Sequence, residues 1–278
     1  MSDSAPGQPE VERLVAPNPG PMTLAGTNTY VVGRDPAWVI DPGPDDAGHL
    51  ARVRAVAGER GGIGGVLLTH GHADHSAGVA ALGGELLWGR AGGDDEMEAL
   101  AAALAAGPTE SVDDLSPPVG PDSSRTEQVG PFTAIATPGH APDHVFFVWE
   151  PGRVCFCGDL VLGEGSSIVP PAAGGGSLAQ YMDSLARLEA LDVDLLAPGH
   201  GPWITDPVAR VAEYVAHRED RDRRLRAALA RGERSREALL AEVWDDVPEP
   251  LRPAAAFAMQ AHLEKLAAEG TLRGDLGP

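Results

Sequence analysis

The sequence predicts an α/β protein that carries a small helical domain at its carboxyl end. Short apolar β runs alternate with helical stretches as far as Asp206-Pro207, which is the pattern of an α/β fold. Beyond that dipeptide the pattern becomes helical. Hydrophobic residues make up 43% of the chain and charged residues 22%, so neither a disordered nor a fibrous protein is expected. We therefore predict one large domain over residues 1–209 and a smaller one over 210–278.

The first predicted strands are "TYVVG" and "AWVID", which are joined by a turn at Asp35-Pro36. A helix is predicted over residues 45–57, and the next strand ends with the apolar run 66–68. The stretch "SAGVAALGG" predicts a helix that ends at Gly83-Gly84, and "ELLWG" predicts another strand.

The middle of the chain is less regular. Residues 91–128 are rich in Ala, Gly, Pro, Ser and Asp, and they predict one short helix near 94–106 and then a mobile loop. Strands are predicted again in "FTAIATPGH", "HVFFVWE" and "GRVCFCGD". Apolar residues at helical spacing predict a helix over 178–191, and "VDLLAPGHG" is a strand that enters a tight turn.

The carboxyl-terminal region predicts three helices. The first is long and rich in arginine and ends near Ala230, and Ser235 is a candidate N-cap for the second. The third runs from about Pro253 to Glu269, with Gly270 at the C′ position. The following "TLRG" is a candidate strand or wing. Three helices and a short β segment predict a winged-helix-like domain.

The charge is unevenly distributed along the chain. The net charge of -20 argues against a protein whose whole surface coats nucleic acid. Residues 1–209 carry 9 basic and 28 acidic side chains, whereas 210–236 carry 9 arginines against 5 acids. There is no apolar run of about 18 residues and no signal-peptide pattern, so we expect a cytoplasmic protein without a membrane partner. Cys155 and Cys157 are separated by one residue, which predicts buried apolar side chains rather than a disulfide.

Four segments share one layout, in which an apolar β run stops at a small or turn residue and is followed by His or Asp. They are "VLLTHGHADH", "AIATPGH", "VCFCGD" and "DLLAPGH". Strand ends of an α/β sheet converge on one edge, where binding sites form. The candidate metal ligands are His70, His72, Asp74, His75, His140, Asp159 and His200.

The residue types point to a catalytic metal centre rather than a structural one. Three histidines make one zinc site with an open position, two histidines with Asp74 make another, and Asp159 can bridge. Nitrogen and carboxylate ligands without thiolate belong to catalytic zinc. A single Pro-Gly-His is most often only a turn. Because four segments end in the same way, the metal hypothesis explains the pattern better than coincidence does.

These motifs resemble the metallo-β-lactamase superfamily, an αββα sandwich with a dinuclear metal site at one edge. The resemblance covers nearly the whole chain. "GTNTYVVG", "VIDPG", "PGHAPDH", "GDLVLGEGSS" and "APGHGP" are especially similar to the β-lactamase-like protein 2 subgroup, as is the appended winged-helix-like domain. The resemblance implies that His70, His72 and His140 hold the first ion, that Asp74, His75 and His200 hold the second, and that Asp159 bridges them.

The expected chemistry is hydrolysis by a hydroxide that bridges two Zn²⁺ ions, with Mn²⁺ or Fe²⁺ as alternatives. Asp74 is the candidate to orient that hydroxide or accept its proton, besides acting as a ligand. His144 is the candidate to protonate the leaving group or grip an anionic substrate, and its alternative role is packing beside the site. Asp41 is expected to anchor a ligand loop, and the glycine-rich loop 163–177 to border the substrate cleft.

The resemblance favours phosphodiesters of single-stranded RNA as the substrate. Arginines of the long arginine-rich helix that ends near Ala230 could neutralise phosphates. Alternatively, they could pair with Glu219, Asp220 and Asp222 on a solvated helix. Aromatic residues make up only 5% of the chain, which leaves little for base stacking. The arginines in question are Arg218, Arg221, Arg223, Arg224 and Arg226.

Other functions are also compatible with parts of the sequence. A glyoxalase-II-like thioesterase, or a hydrolase of another small ester or lactone, would use the same ligands. A diiron oxidoreductase is disfavoured, since His72 stands where such relatives often carry Glu and no flavodoxin-like segment follows. A non-enzymatic nucleic-acid-binding module is disfavoured by the complete ligand set. A homodimer is compatible with the sequence.

Overall fold

The computed structural model describes residues 2–89, 125–233 and 235–271. The helix predicted near 94–106 and the loop after it lie outside these ranges, as does most of the predicted wing "TLRG". In the part of the chain that is described, no helix combines the length and the apolar character needed to cross a membrane.

The first sheet is built from the amino-terminal part of the chain, in the order β1-β2-β3-β4-β5-β6. Its strands are β1 (Ser2–Ala5), β2 (Gln8–Val15), β3 (Asn28–Val32), β4 (Ala37–Ile40), β5 (Ile63–Leu67) and β6 (Leu86–Trp88). Neighbours are antiparallel as far as β4, and β4, β5 and β6 run parallel. The sequence did not predict β1 and β2, because β2 buries little besides Val11 and Leu14 between polar residues.

The second sheet follows the order β11-β10-β9-β8-β7. Its strands are β7 (Thr126–Val129), β8 (Phe132–Ala136), β9 (Val145–Trp149), β10 (Val154–Gly158) and β11 (Leu195–Pro198). Only β10 and β11 pair in parallel; the other pairs in this sheet are antiparallel. The strands predicted around residues 132–157 and 195–198 are thereby confirmed.

The described helices flank the sheets and build the carboxyl-terminal region. They are α1 (Ala47–Gly58), α2 (Ala73–Ser76), α3 (Val79–Leu82), α4 (Leu178–Glu189), α5 (Pro207–Ala230), α6 (Arg236–Val243) and α7 (Arg252–Ala268). The helix predicted over "SAGVAALGG" ends at Gly83 as predicted, but the stretch is divided between the end of α2 and α3. The backbone N–H of Gly78 donates to the carbonyl of Gly43 at 2.8 Å, outside the helix, and this contact separates α2 from α3.

Strand β9 shows how the layers form. Its residues Phe147 and Trp149 pack between the two sheets, whereas Phe146 and Val148 face helix α4 on the other side. A separate cluster packs α1 against the outer face of the first sheet. The four layers are therefore helix, sheet, sheet and helix, as predicted. Cys155 and Cys157 are buried free thiols on the α4 side of β10.

Helix α5 connects this sandwich to the carboxyl-terminal helices. Near its start, Val211 and Tyr214 pack on the layer outside the second sheet, and further along Leu225 and Leu229 pack with α6 and α7. The predicted boundary between residues 209 and 210 falls in the first turn of this helix. Ser235 caps α6 by accepting from the N–H of Ala238 at 3.3 Å, as its sequence position predicted.

Candidate metal centre

The metal candidates come from strand ends at one edge of the sandwich. The chain leaves β5 into "THGHADH", and the segments that follow β8, β10 and β11 carry His140, Asp159 and His200. A backbone bridge between Thr27 and His200 brings the start of β3 to the same edge. The structure places all seven predicted ligands together here, in overlapping groups whose ligand atoms lie within 4.8 Å of one another.

Three imidazoles form the first group. Nδ1 of His72 lies 3.0 Å from Nε2 of His70 and 3.2 Å from Nε2 of His140. Two nitrogens on one tetrahedral zinc ion are separated by about 3.3 Å, from the usual bond length and angle. The three rings therefore have the spacing of a zinc ligand set.

The second group consists of Asp74, His75 and His200. Nε2 of His75 lies 3.4 Å from Nε2 of His200 and 3.3 Å from Oδ2 of Asp74. The third side, from Nε2 of His200 to Oδ2 of Asp74, is 3.4 Å. These nearly equal separations again fit a single cation coordinated by all three atoms.

Asp159 lies between the groups. Its Oδ2 is 3.2 Å from Nε2 of His200 and 3.9 Å from Nε2 of His140, which belong to different groups. Its Oδ1 is buried and has no hydrogen-bond partner among the described residues. Nε2 of His75 lies 3.5 Å from this oxygen. A buried carboxylate oxygen without a hydrogen bond is costly unless a cation compensates it, so this atom also fits a metal site.

Hydrogen-bond partners of the outer ring nitrogens fix the orientation of the candidate ligand histidines. Asp41, at the end of β4, accepts from the N–H and the hydroxyl of Thr69 and contacts Nδ1 of His75 at 2.9 Å. The backbone carbonyl of Ile168 lies 2.8 Å from Nδ1 of His140. When the outer nitrogen donates, the inner Nε2 keeps its lone pair for a metal. The placement of Asp41 agrees with its predicted anchoring role.

The two groups differ in charge when no cation is present. Burial, followed by the neighbouring His140, lowers the pKa of His72 to about 3, so this ring is neutral. Burial also disfavours charge on His75, but Asp74 and Asp159 outweigh it and raise the pKa of His75 well above its ordinary value. His72 thus presents a neutral nitrogen in the first group. The second holds protons that a cation would replace.

His144 packs beside the centre with both ring nitrogens engaged. Its Nε2 accepts from the backbone N–H of Asp159 at 3.2 Å, and Nδ1 lies 2.9 Å from the hydroxyl of Thr137. An accepting Nε2 requires the proton on Nδ1 of the neutral ring. Burial and then His140 lower the pKa of His144 well below its usual value. Both ring nitrogens therefore have partners within the protein, and the role of His144 as a proton donor, an anion contact or a packed histidine stays a prediction.

Several supporting residues were missed from the sequence. The hydroxyl of Thr27 donates to Oδ2 of Asp74 at 2.8 Å, and Asn18 in turn holds Thr27. A side chain on Gly199 would collide with Oδ1 of Asp159, so glycine is needed where β11 passes this carboxylate. Such contacts join residues far apart in the chain, and no local motif marks them.

The glycine-rich loop 163–177 borders the candidate metal centre. Ser167 donates from its hydroxyl to the backbone carbonyl of Asp159, and the next residue contacts His140. The carboxyl-terminal helices hold this loop from the other side, because Glu264 of α7 accepts from the N–H of Ala172 at 2.8 Å.

The arginines of α5 are engaged within the protein. Arg221 donates to the carbonyl of Val243 and to both carboxylate oxygens of Asp246. Arg224 and Arg226 reach carboxylates beyond α5, at Asp245 and Glu269, and Arg218 donates to the backbone carbonyl of Ser167. Arg223 pairs with Asp220 within the helix. Most of these contacts join α5 to neighbouring segments of the chain. Neither of the predicted roles, phosphate neutralisation or pairing within a solvated helix, describes them fully.

The chain belongs to the metallo-β-lactamase superfamily. The family model described as "Metallo-beta-lactamase superfamily" matches residues 22–200, and a model described as "Beta-lactamase associated winged helix domain" matches 235–274. The fold and the arrangement of the candidate ligands agree with this class. The resemblance predicted a sandwich and an appended winged-helix domain, and both are confirmed.

Relatives of similar length support the assignment. The "Beta-lactamase-like protein 2 homolog" of Drosophila melanogaster is 32% identical over 95% of this chain and 89% of its own length. The protein of the same description from Caenorhabditis elegans is 31% identical over 94% and 85%. Among solved structures, a metallo-β-lactamase family protein from Thermus thermophilus has a TM-score of 0.69 at 25% identity, with 98% of both chains covered.

Proposed function

We propose that this protein is a metal-dependent hydrolase whose centre holds two divalent cations. The observation that carries the proposal is the pair of three-atom groups, each with sides of 3.0 to 3.4 Å where measured, joined by the buried Asp159. Membership of the metallo-β-lactamase superfamily supports it independently.

The donor set fits zinc, and Mn²⁺ or Fe²⁺ would be accepted by the same imidazoles and carboxylates. The three-histidine group would hold one ion, the group of Asp74, His75 and His200 the other, and Asp159 would lie between them. When bound, such a pair of ions supplies hydroxide at neutral pH and an electrophilic contact for the scissile bond.

Asp74 has the features of the group that handles the proton. Its side chain is 22% exposed, compared with 5% for Asp159, so it is the more accessible of the two carboxylates. Thr27 donates to Oδ2 and holds the carboxylate in one orientation. We assign Asp74 the acceptance of a proton from the attacking water, in addition to its place in the second group.

His144 has a positioning role in this proposal. Its ring joins Thr137 to the backbone N–H of Asp159 and thereby fixes the turn after β10. Asp41 acts similarly through Thr69 and His75. Both residues therefore orient the metal-holding side chains without touching the substrate.

For the substrate we propose a phosphodiester of single-stranded RNA, on the strength of the motifs shared with the β-lactamase-like protein 2 subgroup. One observation favours the second candidate, a small thioester or lactone. The arginines of α5 already have partners inside the protein, and the net charge of -20 repels a polyanion.

A single panel of substrates tests the proposal. The metal-loaded protein is incubated with single-stranded RNA, a lactoylglutathione thioester, a lactone and a β-lactam, and the His72→Ala variant serves as the control for contaminating enzymes. We expect RNA cleavage that weakens as salt rises, because phosphate contacts release counterions. Thioester or lactone hydrolysis alone would favour the second candidate. Activity of protein stripped of metal, verified by elemental analysis, would contradict both.

A further inference from the structure

A cavity of about 400 Å³ lies between helices α4, α5 and α7, and no residue of the candidate metal centre lines it. Its volume is within the range of small-molecule sites. Leu178 and Met182 of α4 form an apolar side. Four cationic residues, two acidic ones and His262 form the rest, so the lining is net positive in a chain of net charge -20. The charged residues are Arg218, Arg223, Arg226, Lys265, Glu219 and Asp222.

Arg218 is the first sign that this cavity takes a ligand. The residue is only 4% exposed, and no carboxylate lies within 4.0 Å of its guanidinium in the described ranges. Its partners are the neutral hydroxyl of Ser166, the carbonyl of Ser167 and the ring face of Tyr181. Nε of Arg218 has no hydrogen-bond partner among the described residues. A buried cation without a counterion is costly, and an anion in the cavity would supply one.

His262 is the second sign. It is 1% exposed, and its Nδ1 lies 2.7 Å from Oδ1 of Asp222. Because a carboxylate accepts there, the proton of the neutral ring is on Nδ1, and Nε2 is an acceptor. Nε2 is buried and has no partner among the residues described. It would accept from a ligand hydroxyl.

The acidic residues of the lining do not cancel this preference. Asp222 is already compensated on the protein side, since its Oδ2 accepts from Nζ of Lys265 at 2.6 Å and its Oδ1 from His262. Burial acts to raise the pKa of Asp222. The hydrogen bonds from His262 and Lys265, together with their charges, outweigh burial and lower it. Glu219, the other acidic residue of the lining, makes no ion pair among the described residues, but it is exposed to solvent. The buried charge of the lining that has no ion pair in the described ranges is that of Arg218.

We propose that this cavity binds a small phosphate monoester bearing hydroxyl groups, with the phosphate beside Arg218 and a hydroxyl at Nε2 of His262. Arginine favours phosphate because its planar fork donates two parallel hydrogen bonds. Leu178 and Met182 cover the apolar part of the ligand. The proposal does not depend on the hydrolytic function, since it concerns residues outside the metal centre.

The test measures binding by calorimetry with adenosine 5′-monophosphate, with adenosine as the probe that lacks phosphate. We expect the metal-loaded protein to bind the nucleotide and not the nucleoside. Arg218→Gln should weaken nucleotide binding by roughly tenfold or more, as expected for loss of a charge-assisted contact. Arg231→Gln is the matched control, because Arg231 follows the same helix, pairs with Glu242 and does not line the cavity.

Two further variants make the result decisive. Met182→Trp fills the cavity and leaves Arg218 in place, so it should abolish binding even if Arg218→Gln alters the loop at Ser167. His72→Ala disturbs the metal centre, and it should leave nucleotide binding unchanged. No binding of the nucleotide by the unaltered protein, equal binding of adenosine, or loss in His72→Ala with retention in Met182→Trp would overturn the proposal.

Discussion

The edge that carries the candidate metal ligands and helix α5 were both predicted as functional regions, and they turned out differently. At the edge, polar side chains from four segments meet one another, and Oδ1 of Asp159 is left without a hydrogen bond among the described residues. Along α5, most of the arginines donate to carbonyls or carboxylates of the surrounding chain, as Arg221 does to Val243 and Asp246. A polar group without a protein partner marks a place for a ligand, whereas a satisfied one stabilises the fold.

This difference also separates positions within α5 itself. Arg221 is buried and pairs with the carboxylate of Asp246, while Arg218, three residues earlier, has neutral partners only. Nε has no hydrogen bond among the described residues in either arginine, so the carboxylate is what separates them. Sequence spacing makes the two look alike, because both lie on the same face of the helix. The surrounding acceptors decide that one is structural and the other faces a cavity.

The largest effect is expected at the edge. Asp159→Ala should lower hydrolysis by about 10³-fold or more, because it removes the carboxylate between the two groups. Bound metal, measured by elemental analysis, should fall from about two ions per chain to about one. His72→Ala should behave similarly. His217→Ala is the control, a histidine of α5 outside both groups. Full activity of Asp159→Ala would remove the basis of the proposed mechanism.

A smaller effect is expected at Asp41, which contacts a candidate metal ligand but is not one itself. Asp41→Asn keeps the shape of the side chain but weakens its contacts with Thr69 and His75. Metal affinity should decrease by about 10- to 100-fold, as is usual for partners of metal ligands. A chelator competition measures this, and Asp45→Asn, at an exposed position, is the matched control. If both variants bind metal equally well, Asp41 does not position the centre.

The next largest effect is expected for Arg221, a buried arginine of α5. Arg221→Ala removes buried hydrogen bonds and the contact with the ring of Trp244, so the free energy of unfolding should fall by about 2 kcal/mol. Denaturant unfolding measures the change. Hydrolysis by the folded fraction should be retained. A stable variant with a strong loss of RNA affinity would instead assign Arg221 to the substrate.

The smallest effect is expected for an exposed arginine of the same helix. The side chain of Arg223 is 72% exposed and pairs only with Asp220 among the described residues. Arg223→Ala should change the free energy of unfolding by less than about 0.5 kcal/mol. The same unfolding experiment, run beside Arg221→Ala, shows whether burial rather than charge separates the two. Equal destabilisation would refute that distinction.

Much of the fold was predictable because its strands are short apolar runs that end in glycine, proline or aspartate. The strand β9 is a continuous apolar run, and the helix α4 has apolar residues at helical spacing. The strands β1 and β2 were missed because their polar residues hide the buried Val11 and Leu14. The break between α2 and α3 depends on a hydrogen bond from Gly78 to Gly43, which local propensity does not reveal.

The sequence by itself determined which residues can bind metal, because imidazoles and carboxylates that follow strand ends must reach the same edge of a sheet. Only the tertiary structure decided how far apart the ligand atoms of each group lie and that both nitrogens of His144 are taken. The tertiary structure also decided which arginines of α5 have carboxylate or carbonyl oxygens as hydrogen-bond acceptors. The physical reason is that hydrogen-bond partners and burial come from residues distant in the chain, whereas periodicity describes neighbours alone.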